Sequence, residues 1–354
     1  MGLKKNTIYK IFIIFFNFSF LLGDLVWVKY GWELFDYITD ARSASIGNSN
    51  SSLNIKSVHS TINNPSLVYP LKQNISFTHQ TRFNGMINNE LVGFQLKKKS
   101  TIININLIYQ GISNIPDTRN MLLDWGLDGQ FGTNDIGEGN GIIDDGERLD
   151  KDKLKFFNQH QFGIHSAFSK EIMGFPVGIA YKIITYSLDK NFALGVGLDF
   201  GINKIFEKVS LGFVMKNLPT SGLIWENGRI EGTLPSGSLG ISYMIDYFKT
   251  YSININLMGK LEFLLNDSSL DSFLSYKSMS LEKAYGLEFI YKDKIVWRMG
   301  RNNVNNFTGG IGLVWDPIGI DYAFLKPIND ISIGNHHIIS ISISSLWLKS
   351  KISN

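Results

Sequence analysis

The sequence of 354 residues has no cysteine and a low charge content, and it has no long apolar run beyond its first two dozen residues. The absence of cysteine excludes disulfides, thiol catalysis and cysteine-based zinc or iron–sulfur sites. Charged residues make up 18% and aromatics 13% of the chain, which is too apolar a composition for a disordered protein. The 34 Lys and Arg exceed the 31 Asp and Glu only through three lysines in residues 1–23. A nucleic-acid binder normally has a basic surplus, so this class is excluded.

Residues 1–23 are typical of a secretory signal peptide. Three lysines precede an apolar run from Ile11 to Leu22, which is shorter than the about 20 residues that a membrane-spanning helix needs. We predict export with cleavage near Gly23, and an uncleaved anchor is the alternative. No later stretch is long and apolar enough for a spanning helix. A membrane location would therefore require strands.

The rest of the chain alternates with period two, which is typical of strands that present one apolar face. Between Asn191 and Ile202, apolar residues occupy every second position, and Gly, Ala and Asp occupy the others. The same pattern predicts fourteen strands: 75–83, 91–97, 101–110, 157–169, 175–188, 191–204, 207–217, 238–246, 251–264, 284–292, 294–301, 307–315, 318–324 and 336–347. Closure of a bacterial outer-membrane barrel requires an even number.

The composition of the two strand faces favours a membrane barrel over a soluble β-sandwich or propeller. The less apolar face consists mostly of Gly, Ser, Asn and Ala with single charges, whereas the outer face of a soluble sheet should be rich in Lys, Glu, Asp and Arg. Aromatic residues stand near predicted strand ends, as in the girdles of membrane barrels: Phe83, Tyr109, Tyr291, Trp297, Trp315, Tyr322, Phe324 and Trp347. We predict an all-β fold, a transmembrane antiparallel β-barrel of about 14 strands.

Four short motifs, taken in their order along the chain, resemble the PorV/PorQ-type outer-membrane proteins, which are relatives of the FadL-like barrels. They are Ala41-Arg42 through Ile46-Gly47, Asn64-Pro65-Ser66-Leu67, Lys216-Asn217-Leu218 and Asp321-Tyr322-Ala323-Phe324. The family pattern has Met at position 46 and Ala-Gly at positions 66 and 67, so the second motif is half present. The resemblance covers nearly all of residues 30–345.

The resemblance implies a bacterial outer-membrane barrel, made of residues 73–347 and followed by a C-terminal tail of residues 348–354. It also implies that residues 24–72 form a plug or hatch against the lumen, with Arg42, Asn64 and Pro65 as its lumen residues. Family members take part in type IX protein secretion, which would make secretion subunits and exported cargo proteins the partners. FadL relatives pass hydrophobic small molecules, and this is the alternative function. A structural or adhesive barrel is a third hypothesis.

A long acidic insertion, residues 111–156, separates the third and fourth predicted strands. Residues 117–153 contain ten acids and four bases. Calcium takes six to eight oxygen ligands, and a Gly at the sixth position allows a twelve-residue loop to turn sharply. In that register, residues 136–147 predict a calcium loop with ligands Glu138, Asn140, the carbonyl of Ile142, Asp144 and Glu147, and with Asp135 displaced from the first position. The alternative is a solvated extracellular loop.

Enzyme signatures are absent from the sequence. It contains no G-x-S-x-G, H-E-x-x-H or G-x-x-x-x-G-K-[ST] motif. His160 and His165 fall on opposite faces of one predicted strand, so they cannot hold a metal together. We predict that the protein is not an enzyme and has no cofactor other than the possible calcium ion.

Overall fold

The computed structural model describes residues 25–28, 31–37, 39–53, 55–67, 69–246, 251–265, 273–276, 279–327 and 335–352. The predicted signal peptide, residues 1–23, lies outside these described residues. No helix in the described part of the chain is long and apolar enough to cross a membrane.

Fourteen antiparallel strands within the described residues form one closed barrel. They are β1 (Ile75–Arg82), β2 (Ile87–Lys98), β3 (Thr101–Asp117), β4 (Lys155–Ile172), β5 (Phe175–Leu188), β6 (Asn191–Phe206), β7 (Val209–Lys216), β8 (Ser236–Ile245), β9 (Ile253–Leu265), β10 (Met279–Tyr291), β11 (Ile295–Arg301), β12 (Phe307–Trp315), β13 (Ile318–Lys326) and β14 (His336–Ile343). Each strand pairs with the next, and β14 pairs with β1 from Ile343 opposite Ile75 to His337 opposite Thr81. Closure of the ring removes the free sheet edges. The predicted fold class is therefore confirmed.

Apolar side chains point outward from the barrel, and small or polar side chains point inward. On β6, Val196 is 63% exposed, whereas Ala193 is 0% and Asp199 is 2% exposed. Most of the large apolar side chains of the strands are likewise exposed on the outer face. Because both kinds of residue alternate along each strand, the sheet has an apolar outer face and a polar inner face.

The strand bounds differ from the predicted ones by four or more residues at four places. Strand β3 ends at Asp117 rather than at residue 110. Strands β2 and β10 begin at residues 87 and 279 rather than 91 and 284. Polar residues near the start of each strand interrupt the apolar alternation there. Strand β14 ends at Ile343, and helix α3 (Ser345–Ile352) follows it. Trp347 therefore lies in a helix and not at a strand end, since the alternation stops at the consecutive serines 344 and 345.

The two ends of the barrel differ in the length of their connections. One end, here called the short-turn end, has the links 99–100, 173–174, 207–208, 246–252, 292–294 and 316–317. The other, the long-loop end, has the links 83–86, 118–154, 189–190, 217–235, 266–278, 302–306 and 327–335. Strand β14 runs toward the short-turn end, so α3 lies there. The acidic residues of the insertion lie at the opposite end.

The wall is interrupted at the long-loop end between β8 and β9, whereas β7 and β8 stay paired. Two short strands, Ser221–Trp225 and Ile230–Thr233, continue these two strands beyond a break in each. The strand Leu25–Trp27 pairs in parallel with Ile230–Gly232. Pairing between β8 and β9 ends at Gly237 opposite Phe263, and the last residues of β9 pair only with β10. Within the described residues, the wall is therefore open between Leu25–Trp27 and the end of β9, and this interruption is called the side gap below.

Candidate functional site: the barrel lumen

The described part of residues 31–67, called here the N-terminal segment, lies among the inward-facing side chains of the barrel. Nearly all of residues 39–67 that the structure describes are buried. The backbone N–H of Ala41 donates to Ser340 Oγ of β14 at 2.9 Å. Wall side chains also donate to backbone carbonyls of the segment: Thr308 to Ser45 at 3.0 Å, Asn203 to Ser52 at 2.8 Å and Asn104 to Val58 at 2.8 Å. The polar inner face thus satisfies backbone groups that have no partner of their own.

The segment is mostly irregular, with two short helices, α1 (Ala41–Ser45) and α2 (Ser60–Asn63). Asp40 begins α1, since its Oδ1 accepts from the backbone N–H of Ser43 at 2.9 Å. Helix α1 ends in a turn at Gly47, whose φ is +66°. A Cβ at Gly47 would lie 2.3 Å from the carbonyl oxygen of Arg301, so this turn touches the wall directly.

Inward-facing glycines create the space for the N-terminal segment. A Cβ added at Gly178 would lie 2.2 Å from the carbonyl oxygen of Pro65, and one at Gly201 would lie 2.0 Å from Asn64 Oδ1. One at Gly212 would lie 2.2 Å from the carbonyl oxygen of Ser51. Cβ atoms do not approach other heavy atoms so closely, so the segment can pack here only against glycine. The glycines that interrupt the apolar alternation of the strands mark where the segment contacts the wall.

Arg42 belongs to a buried network of four charged side chains. Its Nε lies 2.7 Å from Asp321 Oδ2, and Arg298 Nη1 lies 2.8 Å from Asp321 Oδ1. Arg298 Nε lies 2.7 Å from Glu288 Oε2. Arg42 also donates to Ser342 Oγ at 3.0 Å. The two guanidinium groups balance the two carboxylates, so this network joins helix α1 to β10, β11 and β13 without leaving net charge.

Asn64 and Pro65 form a turn that lies against β5 and β6. Asn64 Nδ2 donates to the carbonyl of Ser51 at 2.7 Å, and Asn64 Oδ1 accepts from the backbone N–H of Ser66 at 2.9 Å. Asn64 therefore folds the chain locally and holds a second part of the segment. The Asn-Pro pair thus has a structural role in the N-terminal segment.

A second buried ion pair lies on the opposite side of the lumen. Lys182 Nζ lies 2.7 Å from Asp199 Oδ1, and it donates to Asn217 Oδ1 at 2.6 Å. The rings of Trp32 and Phe35 lie over the ammonium group, with centroids 5.4 and 5.6 Å from Nζ. This contact fixes the start of the N-terminal segment on the inner wall.

A cavity of about 760 Å³ remains inside the barrel beside the N-terminal segment. Its lining is mixed, with aromatic and aliphatic groups next to charged ones. The apolar lining includes Trp27, Trp32, Tyr37, Phe83, Leu264, Leu265, Leu325 and Ile338, and the charged lining includes Glu33, Asp36, Arg82, Lys216, Lys260, Glu262 and Glu282. A cavity of this size and character can hold a small, mostly apolar molecule.

The cavity extends to the side gap in the wall. Trp27 and Leu265 line the cavity and are also exposed at the surface, at 51% and 45%. Leu234 and Pro235, which precede β8, lie on the same border of the cavity. Residues on both borders of the side gap therefore line the cavity.

Glu33 is the cavity carboxyl whose ionisation is most affected by its surroundings. Burial raises the pKa of Glu33 to about 7, and the nearby Asp36 carboxylate adds to the effect. Asp36 itself is paired, with Oδ1 at 2.8 Å from Lys216 Nζ. The charge inside the cavity thus changes near neutral pH.

All six residues of the predicted calcium loop lie at the tip of the insertion between β3 and β4. Their oxygens accept hydrogen bonds from the loop itself: Asp135 from Asp128 N–H, Glu138 from Asn134 N–H, Asn140 from Ile142 N–H, Asp144 from the Asn140 amide and Glu147 from Asp144 N–H. The described residues include no group of three or more His, Asp or Glu that could hold a metal ion. The calcium loop stays a prediction.

The single charges that the sequence analysis noted on the less apolar strand face include Asp199, Glu288 and Asp321. Their pairing with Lys182 and Arg298 was not predicted. Glu288 lies directly opposite Arg298 in the β10–β11 register. Opposite charges at inward positions of neighbouring strands were the sequence signal that could have predicted these ion pairs. To use this signal, one must know the pairing register of the strands, which alternation alone does not fix.

Comparisons with solved structures identify similar barrels. The Pseudomonas putida toluene transporter TodX has 11% identity and a TM-score of 0.50, with coverage of 91% of this chain and 100% of that chain. A deltaS2 mutant of the TodX monoaromatic hydrocarbon channel has 11% identity and a TM-score of 0.51, with 86% and 98% covered. A Pseudomonas aeruginosa FadL homologue has 9% identity and a TM-score of 0.42, with 86% and 97% covered.

No family model and no curated protein matches the sequence. The specific resemblance to PorV/PorQ-type proteins has no support from the comparisons. What the TodX structures show is the fold that this chain shares with them, a closed antiparallel barrel.

Proposed function

We propose that this chain is a bacterial outer-membrane channel through which hydrophobic small molecules pass. The observation that carries the proposal is the lumen cavity, whose lining includes residues on both borders of the side gap. This was the second hypothesis of the sequence analysis. It is favoured over a role in protein export, which the comparisons do not support.

The outer face supports the membrane location. A band of exposed apolar side chains surrounds a ring in which every barrel strand has partners on both sides, as a lipid environment requires. Membrane barrels have short periplasmic turns and longer extracellular loops. The short-turn end would therefore face the periplasm, and the acidic insertion would lie outside the cell.

The shape of the cavity supports the passage of small molecules. A ligand that enters from the long-loop end meets Trp27, Phe83 and Val304, and the side gap beside Leu265 offers it an exit into lipid. An apolar molecule gains from leaving water along this route. TodX, which has the same fold, is described as a toluene transporter and a monoaromatic hydrocarbon channel.

The N-terminal segment would act as the hatch of this channel. It fills the lumen on the short-turn side of the cavity through the Arg42 network and the Asn64-Pro65 turn. An open path across the barrel would require this segment to move. A route through the side gap would not require the segment to move, because the gap lies beside the cavity itself.

Liposome uptake of a hydrophobic fluorescent probe tests the proposal. Liposomes that contain the full chain should take up the probe faster than liposomes without protein. Deletion of residues 27–60 should increase the uptake further, because the hatch and one border of the side gap are lost. A chain that lacks residues 128–146 of the acidic insertion is the control. Equal uptake with and without protein would refute the channel, and unchanged uptake after the deletion would refute the hatch.

The predicted calcium loop is tested with the whole protein. A calcium titration up to millimolar levels should give a saturable change in the fluorescence of Trp125, which precedes the loop, if the loop rearranges to bind the ion. Absence of any saturable effect would refute the prediction. The channel proposal does not depend on the result.

A further inference from the structure

A groove of about 520 Å³ lies on the outer face of the barrel, across β5 to β10. Its sides are outward-facing apolar residues, namely Phe175, Ile202, Leu211, Phe213, Leu239, Ile241 and Leu261. Its floor includes the backbone of Gly212 and Gly240. This groove is separate from the lumen cavity, and the proposed channel does not use it.

Gly259 creates the groove. It occupies an outward position on β9, opposite Ile241 of β8 and Tyr285 of β10. A Cβ at this position would meet only Ile241 Cγ2, at 3.7 Å. The space above Gly259 is therefore open, although bulky side chains occupy the neighbouring outward positions.

A lysine stands at each end of the groove. Lys204 lies near the short-turn end, where its Nζ donates to the carbonyl of Gly174 at 2.9 Å and lies 4.3 Å from the Phe175 ring centroid. Lys283 lies toward the long-loop end, with Nζ 4.1 Å from the Phe273 ring centroid. The contacts of these two ammonium groups are the Gly174 carbonyl and the two aromatic rings, and no carboxylate of the described residues is among them. A lysine on the lipid-facing surface is unfavourable away from the interface unless its charge is compensated.

We propose that this groove binds one anionic phospholipid, with its phosphate on Lys204 and an acyl chain in the space above Gly259. The apolar sides match the acyl chain. The Lys204 ammonium group matches the phosphate, because it has no carboxylate partner among the described residues. Lys204 receives the phosphate because it stands at the end of the barrel that would face the inner leaflet, where phospholipid headgroups lie. The proposal depends on the membrane location of the barrel and is independent of what the lumen carries.

Native mass spectrometry of the full chain in detergent, with equal amounts of phosphatidylglycerol and phosphatidylcholine, tests the proposal. The native chain should retain one phosphatidylglycerol in preference to phosphatidylcholine. The Lys204→Gln variant should lower this preference about fivefold, because one basic contact to the phosphate is lost. The Gly259→Leu variant should lose both lipids, since its side chain fills the groove without a clash.

Matched variants separate this site from general lipid binding. Lys98→Gln removes an outward lysine at the same end of the barrel, and Val196→Leu adds bulk to the outer wall elsewhere. Both should bind like the native chain. Equal retention of the two lipids by the native chain, or native-like binding by Lys204→Gln and Gly259→Leu, would overturn the proposal. Loss of binding in Lys283→Gln but not in Lys204→Gln would also overturn it. Uptake of the hydrophobic probe by liposomes tests the channel separately.

Discussion

Asp321 accepts hydrogen bonds from two guanidinium groups at once, so the buried charge network of the lumen depends on this one carboxylate. Arg42 and Arg298 are both buried, and each has one contact to this carboxylate. Removal of a buried partner leaves a charge that water cannot reach, and the cost is several kcal/mol. An exposed ion pair has no such effect, because water replaces the lost partner.

The Asp321→Asn variant should therefore be less stable than the native chain by about 3–5 kcal/mol. Denaturant unfolding in detergent measures the difference. Asp316→Asn is the control, since Asp316 pairs with Lys72 at the exposed short-turn end, and it should change stability by at most about 1 kcal/mol. Equal stability of the two variants would contradict the role of the buried network.

Glu33 makes the free energy of unfolding of the protein depend on pH. Its pKa is raised from 4.5 to about 7, so the folded state resists its ionisation. The contribution of the neutral carboxyl is fully present below about pH 4.5 and is lost as the pH rises through 7. The Glu33→Gln variant, which cannot ionise, should therefore match the native chain at pH 4 and exceed its stability at pH 8, by at most about 3 kcal/mol.

Thermal unfolding at the two pH values checks this expectation. Glu226→Gln, at an exposed position of the long-loop end, is the control and should follow the native pH dependence. A constant difference between Glu33→Gln and the native chain across this pH range would contradict the assigned ionisation.

At the scale of elements, alternation predicted all fourteen strands, because each strand has one side that faces an apolar environment. The path of the N-terminal segment could not be predicted in this way. Its burial depends on inward side chains from strands that are far apart in sequence, such as Asn104 on β3 and Thr308 on β12. The side gap was also missed, since it arises from where pairing stops and not from any motif.

Gly201 tests how the N-terminal segment is held. In Gly201→Val, the new Cβ would lie 2.0 Å from Asn64 Oδ1 and 3.0 Å from Pro65 Cδ, so the Asn64-Pro65 turn must move. We expect the barrel to stay closed while the segment becomes accessible to protease. Gly222→Ala is the control, because a Cβ there meets nothing within 4 Å.

Limited proteolysis in detergent, followed by mass spectrometry, locates the cleavage sites. New cleavage between residues 50 and 70 in Gly201→Val alone is the expected result. Resistance equal to that of the Gly222→Ala control would show that the turn tolerates the side chain, and it would contradict the glycine argument.

For the whole molecule, the closed ring and the direction of its apolar face decide the environment of the protein. Its inside is occupied by the polar contacts of the N-terminal segment, so the apolar outer face has no protein partner among the described residues. Lipid is the environment that removes this face from water. The lumen function and the outer groove both depend on this arrangement.

Arginine substitutions on the outer face of β6 test the membrane location directly. Leu198 lies near the middle of the strand, and Phe206 lies at its short-turn end. In lipid, Leu198→Arg should cost about 2–4 kcal/mol and Phe206→Arg about 0–1 kcal/mol, because the cost of a charge falls toward the interface. Guanidinium unfolding in liposomes measures both variants. Equal and small effects at the two positions would mean that water surrounds the barrel, and the membrane location would then be wrong.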